Sequence, residues 1–329
     1  MVEGFTFDDV LIVPAARTRV ESRRTVDTTH KLGEVEFSVP VMTASMAMFD
    51  TANPIATQLD SGFAWRMADA GGVHIFSRAT PFEQRMDGVD YLASGGLNTG
   101  LAVSLDEFFE FQEKLEKIQG LVSIDIANGA LIPPIRWRGV NPLIIGNFAN
   151  PEAVFREGSD FDGDFAFKFG VGSGAACSTR EVTGVGYPQA ALIHEARKNS
   201  GETFIISDGG VRNSGDFVKA VALGADFVMT GRLFGGCLET PWRSFVKDGV
   251  EYKPYRGMAS REQKGSEDFV EGVSGRVPVT GSLYSVVASL EQGLSSAMSY
   301  VNATNIMEFM AKAEFVYSPS SGVENSTRV

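Results

Sequence analysis

Residues 164–188 read DFAFKFGVGSGAACSTREVTGVGYP, and the way this stretch is built points to the fold. Phe165 to Phe169 is a short, aromatic-rich apolar run of the kind that forms a buried strand. It breaks into Gly170, Gly172 and Gly174, reaches Cys177, Ser178, Thr179 and Arg180, and then enters a second flexible run with Gly184, Gly186 and Pro188. A lone cysteine is commonly a small buried hydrophobe. Cys177 is held between two glycine-rich segments at a strand end, a site and not a core, so it is read as a catalytic nucleophile. The bland alternative for the glycine run, a tight strand-to-helix turn, stays open beside it.

Working outward, the same strand-then-polar-residue pattern recurs. Val39 to Ala44 is a short apolar strand leading to Ser45 and Met46, and residues 51–70 carry helical spacing at Ile55, Leu59, Phe63 and Met67, stopped by Gly71 and Gly72. Val73–Phe76, Leu101–Val103, Leu121–Ile126 and Pro142–Ile145 are further strands; the last two run into Asp125, Asn128 and Gly129, and into Gly146 and Asn147. Residues 105–118 form an amphipathic helix. Beyond the opening stretch come a helix over 187–198, a strand over 203–206, a helix over 214–223 and a strand over 226–229. Upstream, VESRRTVDTTHKLGEVEFSVP predicts a hairpin turning near Gly33. Strands alternating with helices imply a mostly parallel sheet. About eight such units over 39–300 favour a closed (β/α)8 TIM barrel, an α/β fold, over an open sheet. One domain over 1–317 with an N-terminal hairpin extension, and a flexible polar tail over 318–329, is the expected organisation. In such a barrel Ser45, Asp125, Asn147, Cys177, Asp208 and Gly231 converge on one face.

The bulk properties restrict the partners. The chain has 29 basic and 41 acidic residues, a net charge of −12, so its surface should repel nucleic acid and anionic membrane. Any phosphate must therefore be held locally. Two cysteines, Cys177 and Cys237, exclude a disulfide framework, and His30, His74 and His194 show no metal-ligand spacing. Cys237, without flanks of that kind, is read as structural. No apolar run is long enough to span a bilayer and no signal-peptide pattern is seen, which makes the cytoplasm the expected compartment.

The glycine run is not the dinucleotide fingerprint, because Ala175 stands where its third glycine would be, and it lacks the Gly-Lys-Ser/Thr of a P-loop. Residues 207–216, SDGGVRNSGD, follow a strand and precede a helix. Asp208 can accept two sugar hydroxyls, while Gly209 and Gly210 let a phosphate approach the backbone. The next strand ends in Gly231-Arg232, and two successive glycine-marked strand ends late in a barrel match a phosphate site. A pair of ordinary helix caps, with Arg232 a solvated charge, is the competing reading.

The stretches FTFDDVLIVPA, SVPVMTASM, IDIANG, IIGNF, KFGVGSGAACSTREVTGVGYPQ, IISDGGVRNSGD, GADFVMTGRLFGG, YRGMAS and EGVSGRVPVTG, in this order, resemble the IMP dehydrogenase and GMP reductase family along nearly the whole chain. The resemblance implies a (β/α)8 barrel, assembled as a homotetramer, acting at C2 of a purine mononucleotide through a covalent thioimidate. It makes Cys177 the nucleophile and Thr179 with Glu271 the proton-handling pair. It places Ser45, Met46, Asp208, Gly209, Gly210, Gly231, Arg232, Tyr255, Gly257 and Met258 against the substrate. Asp125, Asn128 and Asn147 fall on the cofactor side, and the carbonyls of Gly172, Gly174 and Cys177 match a monovalent-cation (K+) loop that reductases need not use.

The reductase branch is the better match. Only ASREQKGSEDFV separates Met258 from Glu271, with no Arg-Tyr pair of the kind that activates water in the dehydrogenases, and Val73 to Val103 leaves no room for a CBS insertion. The implied activity is NADPH-dependent reductive deamination of GMP to IMP and ammonia, a step of purine salvage. The chain departs from the family at Ser173, usually proline, at Ala175, usually a serine that binds phosphate, and at Arg232, usually small. Either Arg232 offsets the lost hydroxyl with a charge-assisted contact, or the substrate is a deoxy or base-modified nucleotide. IMP dehydrogenase activity and a non-catalytic nucleotide-binding role are the remaining alternatives.

Overall fold

The computed structural model describes residues 4–50, 62–156, 158–256 and 274–318. Eight parallel strands form its centre: β1 (Val41–Thr43), β2 (His74–Phe76), β3 (Thr99–Val103), β4 (Leu121–Asp125), β5 (Leu143–Phe148), β6 (Phe165–Phe169), β7 (Phe204–Asp208) and β8 (Phe227–Thr230). From β2 to β8 each pairs with the next in sequence, and β8 pairs with β1. The last seam closes through Thr43 N to Val73 O and Val73 N to Val41 O, both at 3.0 Å. The sheet is a barrel, as the strand count predicts.

The connections make the parallel order possible. Helices Phe63–Asp69, Phe82–Ser94, Leu105–Leu115, Gln189–Asn199 and Ser214–Ala222 return the chain to the start of the next strand, and Leu283–Tyr300 covers the barrel after β8. Between β5 and β6 a 3-10 segment, Pro151–Arg156, replaces the helix, and between β4 and β5 there is only the turn Gly129–Leu131 and a two-residue strand, Ile135–Arg136. The helix expected over 51–70 is seen as Phe63–Asp69; its earlier part lies outside the described residues. Helix Phe82–Ser94 has no counterpart in the sequence reading, and the reason is its core face. Arg85 lies on that face, buried, and donates to the Ala102 carbonyl and to Glu107, so the apolar periodicity is interrupted by a charge. A three-stranded antiparallel sheet, Phe245–Lys247, Val250–Arg256 and Ser274–Pro278, stands between β8 and the last helix.

Side chains alternate across each strand, so every second residue faces the barrel axis. Met42, Ile75, Ala102, Leu121, Ile144, Ala166, Ile206 and Met229 form that inner layer. The expected hairpin is His30–Leu32 and Val35–Phe37, and its Leu32, Val35 and Phe37 belong to the same buried cluster. Phe37 packs 4.6 Å from Phe227, the first residue of β8. Glu34 N donates to Asn141 Oδ1 at 2.8 Å and Asn98 Nδ2 to Glu36 O at 2.6 Å, both partners lying just before a strand. The hairpin thus plugs the N-terminal end of the barrel. The opposite, C-terminal end is where chemistry can occur. Among the described residues no helix is long and apolar enough to cross a membrane.

Candidate active site

The inward positions at the C-terminal end are polar, and they are wired together. Leu121, Ser123 and Asp125 share one face of β4, and Ala166 and Lys168 share one face of β6, so the last inward residue of each strand is charged. Lys168, fully buried, donates to Asp125 Oδ1 at 2.5 Å, to Asp208 Oδ2 at 3.3 Å and to Asn147 Oδ1. Ser45 Oγ donates to the other oxygen of Asp125 at 2.6 Å, and Asn147 Nδ2 donates to Asp208 Oδ2 at 2.7 Å and Gly170 O at 2.8 Å. Two carboxylates thus share one buried ammonium. Burial works against the charge on Asp125, but Lys168 and the Ser45 hydroxyl outweigh it and hold the carboxyl below its usual value. At Asp208 burial and the nearby Asp125 charge prevail over Lys168 and Asn147, and the pKa is raised. Burial alone would lower Lys168, yet the two carboxylates raise it, so it is a cation.

The loop after β6 carries Cys177. Gly170 has φ +152°, and a Cβ there would meet Asp208 O at 1.9 Å, so only glycine lets β6 leave the barrel this close to β7. Ser173 Oγ donates to Asp208 O at 2.7 Å and fastens the loop to that strand end. Cys177 is exposed, and its Sγ lies 3.1 Å from Thr179 Oγ1, the first residue of the short helix Thr179–Thr183. Arg180 is close enough for the Cys177 charge to bear on it; burial lowers the Arg180 pKa and that charge opposes the fall. A guanidinium and a hydroxyl thus stand beside one exposed sulfur. The Gly174 carbonyl accepts the Cys177 N–H at 2.9 Å, which closes the loop on itself and takes up one lone pair of a carbonyl expected to bind a cation. Cys237 is buried and its thiol is pushed up to about 12 by that burial, in keeping with a structural role.

Around Gly231 the approach is again tight. A Cβ at Gly231 would meet Met46 Sδ at 2.5 Å and the Tyr255 hydroxyl at 2.8 Å. Tyr255 is buried, its hydroxyl donates to Met46 Sδ at 3.7 Å, and burial raises its pKa, so it remains a neutral donor. Gly209 and Gly210 separate in role: the Gly209 amide is spent on Met229 O at 3.1 Å, while Gly210 lines a cavity of about 310 Å³ with Ser173, Ala175, Arg180 and Arg232.

The structure therefore brings Ser45, Met46, Asp125, Asn147, Cys177, Thr179, Asp208, Gly210, Gly231, Arg232 and Tyr255 to the strand ends. Asn128 is also there but caps the turn Gly129–Leu131 by accepting Ala130 N–H at 3.2 Å; its side chain remains exposed. Asn147 has both ends of its amide committed within the network, so it positions its neighbours. Glu271, Gly257 and Met258 lie outside the described residues. Lys168 is the candidate-site residue that the reading of an unbroken apolar run over 165–169 passes over. The signal was present: phenylalanine at 165, 167 and 169 alternates with Ala166 and Lys168, the period of a strand with one distinctive face.

Comparison with known proteins agrees with this geometry. The model of the IMP dehydrogenase / GMP reductase domain matches residues 4–328. The chain is 34% identical over 330 residues to a GMP reductase of Lacticaseibacillus casei, covering 96% of both chains. It is 35% identical over 319 residues to the GMP reductase of Bacillus subtilis, covering 93% of this chain and 94% of that one. A GMP reductase of Bacillus licheniformis is 33% identical over 334 residues, with 98% of each covered. With a closed eight-stranded barrel and a cysteine loop after its sixth strand, the chain belongs to the IMP dehydrogenase / GMP reductase family.

Proposed function

We propose that the protein is a GMP reductase, converting GMP to IMP and ammonia with NADPH as reductant. One observation carries the reading: the exposed Cys177 Sγ, paired with Thr179 at the barrel mouth, in a chain matched to GMP reductases over more than nine tenths of both lengths. The Cys177 thiolate attacks purine C2 and forms a carbon–sulfur bond. The 2-amino group leaves as ammonia only after it gains a proton, and Thr179, with Glu271 as its acid partner, is assigned to deliver it. What remains is a thioimidate between C2 and Cys177. A nicotinamide cofactor, when bound, supplies the hydride that C2 accepts, and release of the thiolate completes IMP.

Asp208 accepts the ribose hydroxyls, and its network with Lys168 and Asn147 fixes where C2 lies relative to the sulfur. The residues at the end of β4 suit a nicotinamide: Asp125 is an ionised acceptor and Asn128 an exposed amide on the same strand end. Bulk cytoplasm, a homotetrameric assembly and a preference for NADPH over NADH complete the reading. A K+ ion on the carbonyls of Gly172, Gly174 and Cys177 takes no part in these steps. The test is incubation with GMP and NADPH: one ammonia released for each cofactor oxidised is expected. XMP formed from IMP and NAD, with no ammonia from GMP, would overturn it.

A further inference from the structure

Between β1 and β2 the barrel buries a carboxylate that has no part in the proposed chemistry. His74, fully buried at the start of β2, lies between two partners. Its Nδ1 is 2.9 Å from Thr43 Oγ1 of β1, and its Nε2 is 3.1 Å from Asp50 Oδ1. The other oxygen of Asp50 accepts from Ser77 N at 2.9 Å and from Thr80 Oγ1 at 2.6 Å. Thr43, Asp50, Ser77 and Thr80 are buried as His74 is.

Ser77 and Thr80 are the two ends of a turn. The Ser77 carbonyl accepts the Thr80 N–H at 3.0 Å, and Ser77 Oγ accepts the Ala79 N–H at 3.1 Å. The turn leaves β2 at the C-terminal end of the barrel and leads into helix Phe82–Ser94. Its two middle residues, Arg78 and Ala79, are exposed. One carboxylate therefore grips the turn on both sides of Arg78. The Arg78 charge in turn reaches the end of β4: burial opposes ionisation of Asp125, and Lys168, Ser45 and Arg78 together outweigh it. For stability alone a buried ionic group is a poor choice, since apolar side chains of similar size fill such a space as well or better. What the Asp50 carboxylate adds is two acceptor oxygens in fixed directions, one for β2 and one for the turn.

Resting on the GMP reductase reading, which puts the cofactor at the end of β4, we propose that Asp50 is a positioning residue for that cofactor. Backed by His74 and Thr43, it fixes the Ser77–Thr80 turn so that Arg78 stands beside Asp125. Asp50 acts through Arg78. Without its grip the turn is free to carry Arg78 away, and Asp125 is left to Lys168 and Ser45. The nucleotide side depends on other elements, since Asp208 ends β7 and Cys177 follows β6. Loss of Asp50 should therefore weaken the cofactor and spare the nucleotide.

The experiment is steady-state kinetics on the full chain with GMP and NADPH. Asp50→Asn keeps the side-chain volume and turns one acceptor oxygen into a donor; it should raise the KM for NADPH by about tenfold and leave the KM for GMP within about twofold. Arg78→Met should give the same split, and Arg78→Lys, which keeps the charge, should stay within about threefold of the parent. The double variant Asp50→Asn, Arg78→Met should be no more than about twofold worse than Arg78→Met, because Asp50 then has nothing to position. Thr80→Val removes one donor from Asp50 and should raise the KM for NADPH by about threefold; it decides the matter if Asp50→Asn fails to fold. Both KM values raised alike, neither raised in a folded variant, or penalties at 50 and 78 that multiply would overturn the positioning role and leave the reductase reading standing. A parent that releases no ammonia from GMP would instead sink the reductase reading. Calorimetric binding of NADPH to the parent and to Asp50→Asn then settles the rest: a Kd weakened about tenfold supports the positioning role, and equal Kd values or no binding end it.

Discussion

Lys168 serves two carboxylates with one charge, and it serves them unequally. Asp125 has the ammonium at 2.5 Å and a hydroxyl from Ser45, whereas Asp208 has it at 3.3 Å and faces the negative charge of Asp125. The two groups are shifted in opposite directions for that reason. Lys168→Met keeps the side-chain volume and removes the charge, leaving both carboxylates to be neutralised by protons. Their pKa values then rise, so an activity that needs Asp208 ionised is lost at higher pH: the acid limb of kcat/KM should move up by about one unit or more. The stability penalty has the same sign logic. Carboxylates whose folded pKa lies above the unfolded value destabilise the fold above that pH, so the variant should lose about 3 kcal/mol near pH 8 and less near pH 5, measured by urea unfolding. At the sulfur the expectation is simpler. Cys177→Ala should lower kcat by about 10⁴-fold or more, and Thr179→Val, which leaves the thiol but removes its hydroxyl neighbour, by about 10²-fold with KM little changed.

Strands and the loops that leave them determine how closely these residues meet. Gly170 is the tightest of these points, and Gly170→Ala tests it. The added methyl would lie 1.9 Å from Asp208 O, the same oxygen that accepts Ser173 Oγ, and φ +152° is strained for any residue with a Cβ. The end of β6 must shift, carrying the Cys177 loop away from β7. A stability loss of about 3 kcal/mol is expected, together with a fall in kcat/KM of at least tenfold, read by thermal unfolding and steady-state kinetics. At this scale the sequence was legible where local chemistry decided the structure. The strand ends and the hairpin at Gly33 were both visible as residue patterns. Helix Phe82–Ser94 was not, because its buried Arg85 is satisfied by Ala102 and Glu107 of other elements, a pairing no local pattern can show. Lys168 escaped for the related reason that its partners come from β4, β5 and β7.

Over the whole molecule, the barrel separates stability from chemistry by placing them at opposite ends. The hairpin that seals the N-terminal end contributes Leu32, Val35 and Phe37 to the inner cluster, while the loops of the candidate site leave the C-terminal end. Sequence periodicity announced the hairpin but not its role as a plug, since that role exists only once eight strands have closed around an axis. Phe37 is the residue on which the plug depends: it is fully buried and packs, with its ring tilted, 4.6 Å from that of Phe227, which opens β8. Phe37→Ala removes a large ring from a site that the closed barrel cannot collapse to fill, so the cost should be near the full range for such truncations, about 3–5 kcal/mol. The candidate site residues lie at the other end of the same strands, and their hydrogen bonds to Lys168, Asn147 and Ser173 do not pass through the plug. Urea unfolding should therefore show the loss of stability, while kcat and KM, measured well below the midpoint, should stay within about twofold of the parent. A variant that instead loses kcat while folded would mean that strain at the plug travels the length of the barrel, and the two ends could no longer be treated as independent.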